Sequence, residues 1–190
     1  MAKGMYHYLR EMWRAPSKEL THSRMIQWRA GDAIARVDKP LRLDRARALG
    51  YKAKRGILVF RVRIIRGGRK RPRHTHGRVS RKQHERKILK MSYQWVAEQR
   101  VSKRYPSLEV LNSYLLGKDG KHYFFEVIAV DISKPEIAND SNFAWLLRGE
   151  NRRRAERGLT SAAKKSRGLK TKSPFIKTRP SVRAFARTGK

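Results

Sequence analysis

Three stretches of the chain carry the hydrophobic pattern of β-strands. In "ILVFRVRII", residues 57–65, Leu58, Phe60, Val62 and Ile64 share one side, while Ile57 and Val59 share the other with Arg61 and Arg63. Period-two alternation of this kind predicts a strand buried more fully on one face. "LEVLNSYLL" and "HYFFEVIAVD" are two further β-rich runs joined by "GKDGK", where Lys118, Asp119 and Gly120 supply hairpin-turn chemistry. Other stretches have helical spacing. Met5, Leu9 and Met12 or Trp13 recur along "MYHYLREMWR". A second helix is expected from about Ser17 to Gly31, with Leu20, Met25, Ile26 and Trp28 as its apolar positions. A short helix starts near Asp44 and stops before Gly50, and another runs over about 92–103 with Tyr93, Val96, Ala97 and Val101 along one side, ended by Pro106.

These elements predict an α+β fold. A small three- or four-stranded sheet, mixed or antiparallel, is built from about 57–66, 108–117 and 122–131, is covered by the helices near 43–49 and 92–103, and carries long basic extensions. The expected organisation is an amino-terminal helical extension over 1–40, a core domain over 41–147 with a basic loop at 67–91, and a basic tail over 148–190. The tail suggests short helices at 149–157 and 160–167, the second capped by Thr160 and stopped by Gly168. Its apolar residues Leu159, Leu169, Phe175, Ile176, Val182 and Phe185 come singly. Ordering costs roughly 1 kcal/mol or more per residue in backbone entropy, which scattered side chains do not offset, so the tail is expected to order only against phosphates.

Charge changes the picture most. The 190 residues include 48 Lys and Arg against 15 Asp and Glu, a formal net charge of +33. Such an excess repels itself unless a polyanion neutralises it, and nucleic acid is the abundant cellular polyanion. The charge is also segregated. Between 106 and 147 the basic residues are Lys118, Lys121 and Lys134, outnumbered by Glu109, Asp119, Glu126, Asp131, Glu136 and Asp140. From 70 to 90, by contrast, basic residues stand at 70, 71, 73, 78, 81, 82, 86, 87 and 90 with the single acid Glu85, a composition that buries almost nothing. There is no apolar run long enough to span a bilayer and no apolar block after the first residues, so neither membrane nor secretion is expected. With no cysteine, disulfides and thiol-ligated zinc are excluded.

No enzyme constellation emerges. "RGGRK" lacks the spacing of a phosphate-binding P-loop. Glu109 and Glu126 fall on neighbouring strands but read as solvent-facing sheet charges rather than a catalytic pair. His74 and His76 form an H-x-H pair with no third ligand nearby and are read as partners of nucleotides, so no metal, cofactor or small-molecule substrate is expected. Gly67 and Gly68 allow close backbone approach, so their amides and the neighbouring Arg66, Arg69 and Arg71 can reach phosphates. Arginine dominates this stretch, which suits bidentate phosphate contacts and base stacking. The basic residues spread over several tracts, unlike the compact basic face of a helix-turn-helix, and this distribution suits a chain that threads folded RNA, touching many phosphates and reading few bases.

The motifs "RARALGYKAKRGILVFRVRIIRGGRKRP", "LEVLNSYLLGKDGKHYFFEVIAVD" and "RGLTSAAKKSRGL", in this order and preceded by "MYHYLREMW", resemble the large-subunit ribosomal protein fifteen family of the archaeal and eukaryotic type. The likeness covers nearly the whole chain, with the length and the tract "RPRHTHGRVSRKQHERKILK" closer to archaeal members. The resemblance implies a structural, non-enzymatic component of the large ribosomal subunit, with large-subunit ribosomal RNA and neighbouring ribosomal proteins as partners. Charge and resemblance together nominate as RNA contacts Lys52, Lys54, Arg55, Arg61, Arg63, Arg66, Gly67, Gly68, Arg69, Lys70, Arg71, Arg73, His74, His76, Arg78, Arg81 and Lys82. In the tail they nominate Arg152, Arg153, Arg154, Arg157, Lys164, Lys165 and Arg167. The rival readings are a chromatin or RNA-chaperone protein and, on the acidic residues of 106–147 alone, an enzyme acting on RNA.

Overall fold

The computed structural model describes residues 3–70, 72, 77 and 86–170, with backbone only at Arg69, Arg86 and Lys87. Arg71, Arg73, His74, His76, Arg78, Arg81 and Lys82 lie outside the described residues.

An antiparallel four-stranded sheet forms the middle layer. Its strands are β1 (Ile34–Val37), β2 (Ile57–Ile65), β5 (Leu108–Lys118) and β6 (His122–Asp131), in the spatial order β1-β2-β6-β5. Strands β3 (Arg69–Lys70) and β4 (Arg86–Lys87) form a separate two-residue ladder. The helices are α1 (Met5–Arg14), α2 (Lys18–Ala30), α3 (Leu43–Ala48), α4 (Tyr93–Arg104), α5 (Pro135–Ala138), α6 (Ala144–Leu147) and α7 (Ser161–Ser166).

Both faces of the sheet are covered. On one face Ile57, Tyr114, Leu116, Phe124, Ile128 and Val130 pack with Met25 and Trp28 of α2, Ala46 of α3, and Ile137, Phe143 and Leu146. On the other face Phe60, Val62, Ile64, Val110, Phe125, Val127 and Ala129 pack with Ala97 and Val101 of α4 and with Ala155. This two-sided cover explains why "HYFFEVIAVD" reads as a near-continuous apolar run: β6 is central, and every residue from Phe124 to Val130 is buried. The β5–β6 turn forms as its chemistry predicts, with Asp119 Oδ1 accepting from the backbone N–H groups of Lys121 and His122 at 2.7 and 2.5 Å. Side-chain caps close the amino-terminal ends of α2, α4 and α7: Ser17, Ser92 and Thr160 accept from the N–H groups of Leu20, Trp95 and Ala163.

Two segments differ from expectation. Residues 34–37, within the stretch read as a helical extension, instead supply the edge strand β1, pairing Ile34 with Val62 and Val37 with Val59. Tail residues up to 170 pack on the domain: Ala155, Thr160, Ala162 and Ala163 are buried, and Trp95 Nε1 donates to the Ala155 carbonyl at 2.7 Å. Small side chains let this segment lie close against α4, so it is held by contact and hydrogen bonding rather than by large apolar anchors. The charge reading of the sheet is likewise overturned, because Glu109 and Glu126 are buried, not solvent-facing.

Candidate nucleic-acid interface

β2 delivers the chain to its basic turn. The strand is held by its pairing with β6 over the whole of Ile57–Ile65, and beyond it Arg66 N–H donates to the Lys121 carbonyl at 2.8 Å. Arg66 also donates to the Asp119 carbonyl at 2.9 Å and lies over the Tyr123 ring, 5.3 Å from its centroid. Gly67, at φ +102°, has open space where a Cβ would stand, and its N–H donates to the Tyr93 hydroxyl at 2.8 Å. Glycine suits this left-handed turn because other residues are strained there. Tyr93 in turn stacks on Tyr123 with centroids 4.8 Å apart.

The end of α7 comes to the same place. Ser92 N–H, at the start of α4, donates to Ser166 Oγ at 2.9 Å. Gly67, Gly68, Lys90, Tyr93 and Ser166 therefore line one cavity, of about 700 Å³. Two basic tracts far apart in sequence, 66–70 and 164–167, converge around the amino-terminal end of α4.

Other nominated residues have internal partners. Arg61 and Arg63 do not mark an outward face. α2 covers that side of the sheet, so the Arg61 guanidinium lies 5.5 Å from the Trp28 ring centroid and Arg63 donates to the Arg29 carbonyl. Arg61 sits across the register from Glu126. Burial lowers its pKa, opposed by the attraction of Glu126. Lys52 and Lys54 converge on Asp140 at 3.4 and 2.6 Å. The Lys54 ammonium, with Asn142 and Lys52, holds that carboxyl well below the usual range. Arg154 donates to the Val110 and Leu111 carbonyls at 3.0 and 2.8 Å and stacks 4.7 Å over Trp145. Arg167 donates to the Gly158 carbonyl at 2.9 Å, and Arg157 to the carbonyls of Arg152 and Glu150. Among the described nominated residues Lys52, Lys54, Arg55, Arg66, Lys70, Arg152, Arg153, Arg157 and Lys165 are exposed, whether or not they also have a protein partner.

Sequence reasoning missed a set of polar groups inside the fold. Glu98 of α4 accepts from Ser113 Oγ and Thr160 Oγ1, both at 2.5 Å. Burial raises its pKa against those hydrogen bonds and the nearby Arg154. Glu126 accepts from the Tyr114 hydroxyl and from the Leu41 N–H at 3.2 Å, and burial raises its pKa too. Glu109 accepts from the Arg153 N–H at 2.8 Å. Each carboxylate is answered by protein donors, so none is left free for chemistry on a substrate. At the amino terminus Arg24 and Arg42 lie 5.5 and 5.1 Å from the Trp13 ring centroid. The arrangement presents cations on a rigid support, which suits a polyanion. No group of His, Cys, Asp and Glu able to hold a metal is found among the described residues.

The chain matches the family described as Ribosomal L15, of the L15e type, over residues 4–185. It is also 48% identical over 196 aligned residues, covering all of both chains, to the "Large ribosomal subunit protein eL15" of the archaeon Methanocella arvoryzae. With the motifs in register, the sheet in place and the match spanning nearly every residue, the chain belongs to the Ribosomal L15 family of L15e type, a family of structural ribosomal proteins and not of enzymes.

Proposed function

We infer that this protein is built into the large ribosomal subunit, where it binds and stabilises folded large-subunit ribosomal RNA through its basic turns and tail. The observation that carries this reading is the split between a neutralised interior and a cationic exterior. The carboxylates Glu98, Glu109 and Glu126 are spent on internal donors, while a net charge of +33 remains to be balanced from outside. A polyanion that releases counterions on contact supplies that balance.

Among the nominated residues, the structure supports a division of labour. Arg55, Lys70, Arg152, Arg153 and Lys165 are the direct phosphate contacts, and Arg69 is added to them by its place in the basic tract. Arg61, Arg63, Arg154 and Arg167 act mainly from within, holding α2, the β5 edge and the 158–167 segment in place. Arg66 does both, bracing the β5–β6 turn while leading into the glycine pair. Arg71, Arg73, His74, His76, Arg78, Arg81 and Lys82 extend the same basic tract by sequence and are proposed as further contacts.

The test is sedimentation of the tagged protein in its own cells. It is expected to travel with large subunits and to stay there through a wash at moderate salt. Recovery in the ribosome-free fractions overturns the reading, and equal affinity for random duplex DNA and for ribosomal RNA favours a general nucleic-acid-binding role instead.

A further inference from the structure

The cavity where the two basic tracts meet has a chemistry that phosphate neutralisation alone does not call for. It measures about 700 Å³, within the size range of small-ligand sites. Gly67 and Gly68 line it together with Ile88, Leu89, Met91 and Tyr93. Leu89 is 44% exposed and Ile88 81%, an unusual placement for two adjacent large aliphatic side chains in so basic a chain. A site meant only for phosphates has no use for such a wall, and a site for a neutral ligand has no use for its rim.

The rim carries a cation. Lys90 lines the cavity itself, held at φ +52°. Lys165 precedes Ser166, which lies beside the start of α4, whereas the Arg66 side chain is turned to the Asp119 carbonyl and the Tyr123 ring. No carboxylate is among the described residues that line it. Tyr93 is fixed rather than free to swing: its hydroxyl accepts from the Gly67 N–H and its ring stacks on Tyr123. An apolar and aromatic wall beside a lysine, with no carboxylate among the described lining residues, is complementary to a group with one flat apolar end and one anionic end. In RNA that group is an unstacked nucleotide.

The geometry points to this cavity as a receptor for a nucleotide splayed out of single-stranded or bulged RNA. Its base enters against Leu89, Met91 and Tyr93, and its phosphate meets Lys90 and the Gly67–Gly68 turn. The assignment rests on the RNA-binding reading above and sharpens it. At this place the protein takes hold of a base as well as of backbone, and a regular duplex, whose bases are stacked and paired, does not fill the site.

The full-length protein is tested with a short oligouridine carrying 4-thiouridine and with a blunt RNA duplex of the same length. The double variant Ile88→Ala and Leu89→Ala removes exposed side chains only, and its thermal melt checks that the fold is retained. Expected are a loss of about tenfold in affinity for the single strand, an unchanged affinity for the duplex, and photo-crosslinks of the wild-type protein within residues 86–93. Crosslinks mapping elsewhere, unchanged single-strand affinity in the double variant, or an equal loss on both probes overturns the nucleotide site and leaves general RNA binding standing. Failure of the wild-type protein to bind either probe overturns the RNA-binding reading itself, and the site with it.

Discussion

Thr160 donates its hydroxyl to the carboxylate of Glu98 across 62 residues of chain. Both side chains are buried without measurable exposure, so this contact ties the first part of the tail to α4 and, through Ser113, to the sheet. What composition suggests is a solvated basic tail is, up to residue 170, a folded layer of the domain.

Replacing Glu98 by Ala leaves the hydroxyls of Ser113 and Thr160 buried without their acceptor and Arg154 with Glu109 as its remaining neighbouring charge. A loss of about 1–3 kcal/mol in unfolding free energy is expected. Glu98→Gln keeps an acceptor and removes the buried charge, so a change of under about 1 kcal/mol is expected at neutral pH. The pH dependence separates the two states of the wild-type group. Burial raises its folded pKa above the unfolded value, so its contribution to stability is fully present below the unfolded pKa and is lost as pH rises through the folded one. Denaturant melts at pH 7 and pH 5 should therefore show the wild type gaining stability relative to Glu98→Gln as the pH is lowered. A parallel or opposite trend contradicts the assignment.

Arg154 and Arg152 are close in sequence and opposite in role. Arg154 donates to two carbonyls beside the register shift between Val110 and Asn112. Arg154→Ala is expected to cost about 1.5–3 kcal/mol, the range for hydrogen bonds to a charged group. Arg152 is exposed, and Arg152→Ala should change stability by no more than about 0.5 kcal/mol while weakening RNA binding. Urea melts of the two variants check the contrast.

Gly56 and Gly67 both have positive φ, +96° and +102°, but a Cβ at Gly56 would stand 2.8 Å from Ile137 Cγ1, whereas Gly67 opens onto empty space. Gly67→Ala should cost only the backbone strain, about 1–3 kcal/mol at most. Gly56→Ala should cost distinctly more, because a buried, tightly packed isoleucine must also shift. Thermal unfolding of both variants decides the order.

Much of the fold was legible because its signals are local. The runs at 57–65, 108–118 and 122–131, the Asp119 turn, Gly50 behind α3 and the Thr160 cap all sit within a few residues of the structure they specify. The strand at 34–37 was missed because "IARV" is short, contains a charge, and earns its place only by pairing with β2. The buried state of Glu126 was missed because its donors, Tyr114 and the Leu41 N–H, are 12 and 85 residues away. The tail misled because its packing relies on Ala155, Ala162 and Ala163, residues that a count of large apolar side chains passes over. For the interface, the basic tracts were visible from composition. Their convergence around the start of α4, and the withdrawal of Arg61 and Arg154 into the fold, are tertiary facts with no local trace.

The central claim is that the exposed cations of a prefolded domain bind ribosomal RNA by neutralising its phosphates. The most direct measurement is the affinity of the full-length protein for large-subunit ribosomal RNA as a function of salt. If about ten phosphates are neutralised, a plot of log K against log salt should fall with a slope of about −9 for duplex regions and about −7 for single strands. Binding that is nearly independent of salt, or absent at the lowest salt, contradicts the account.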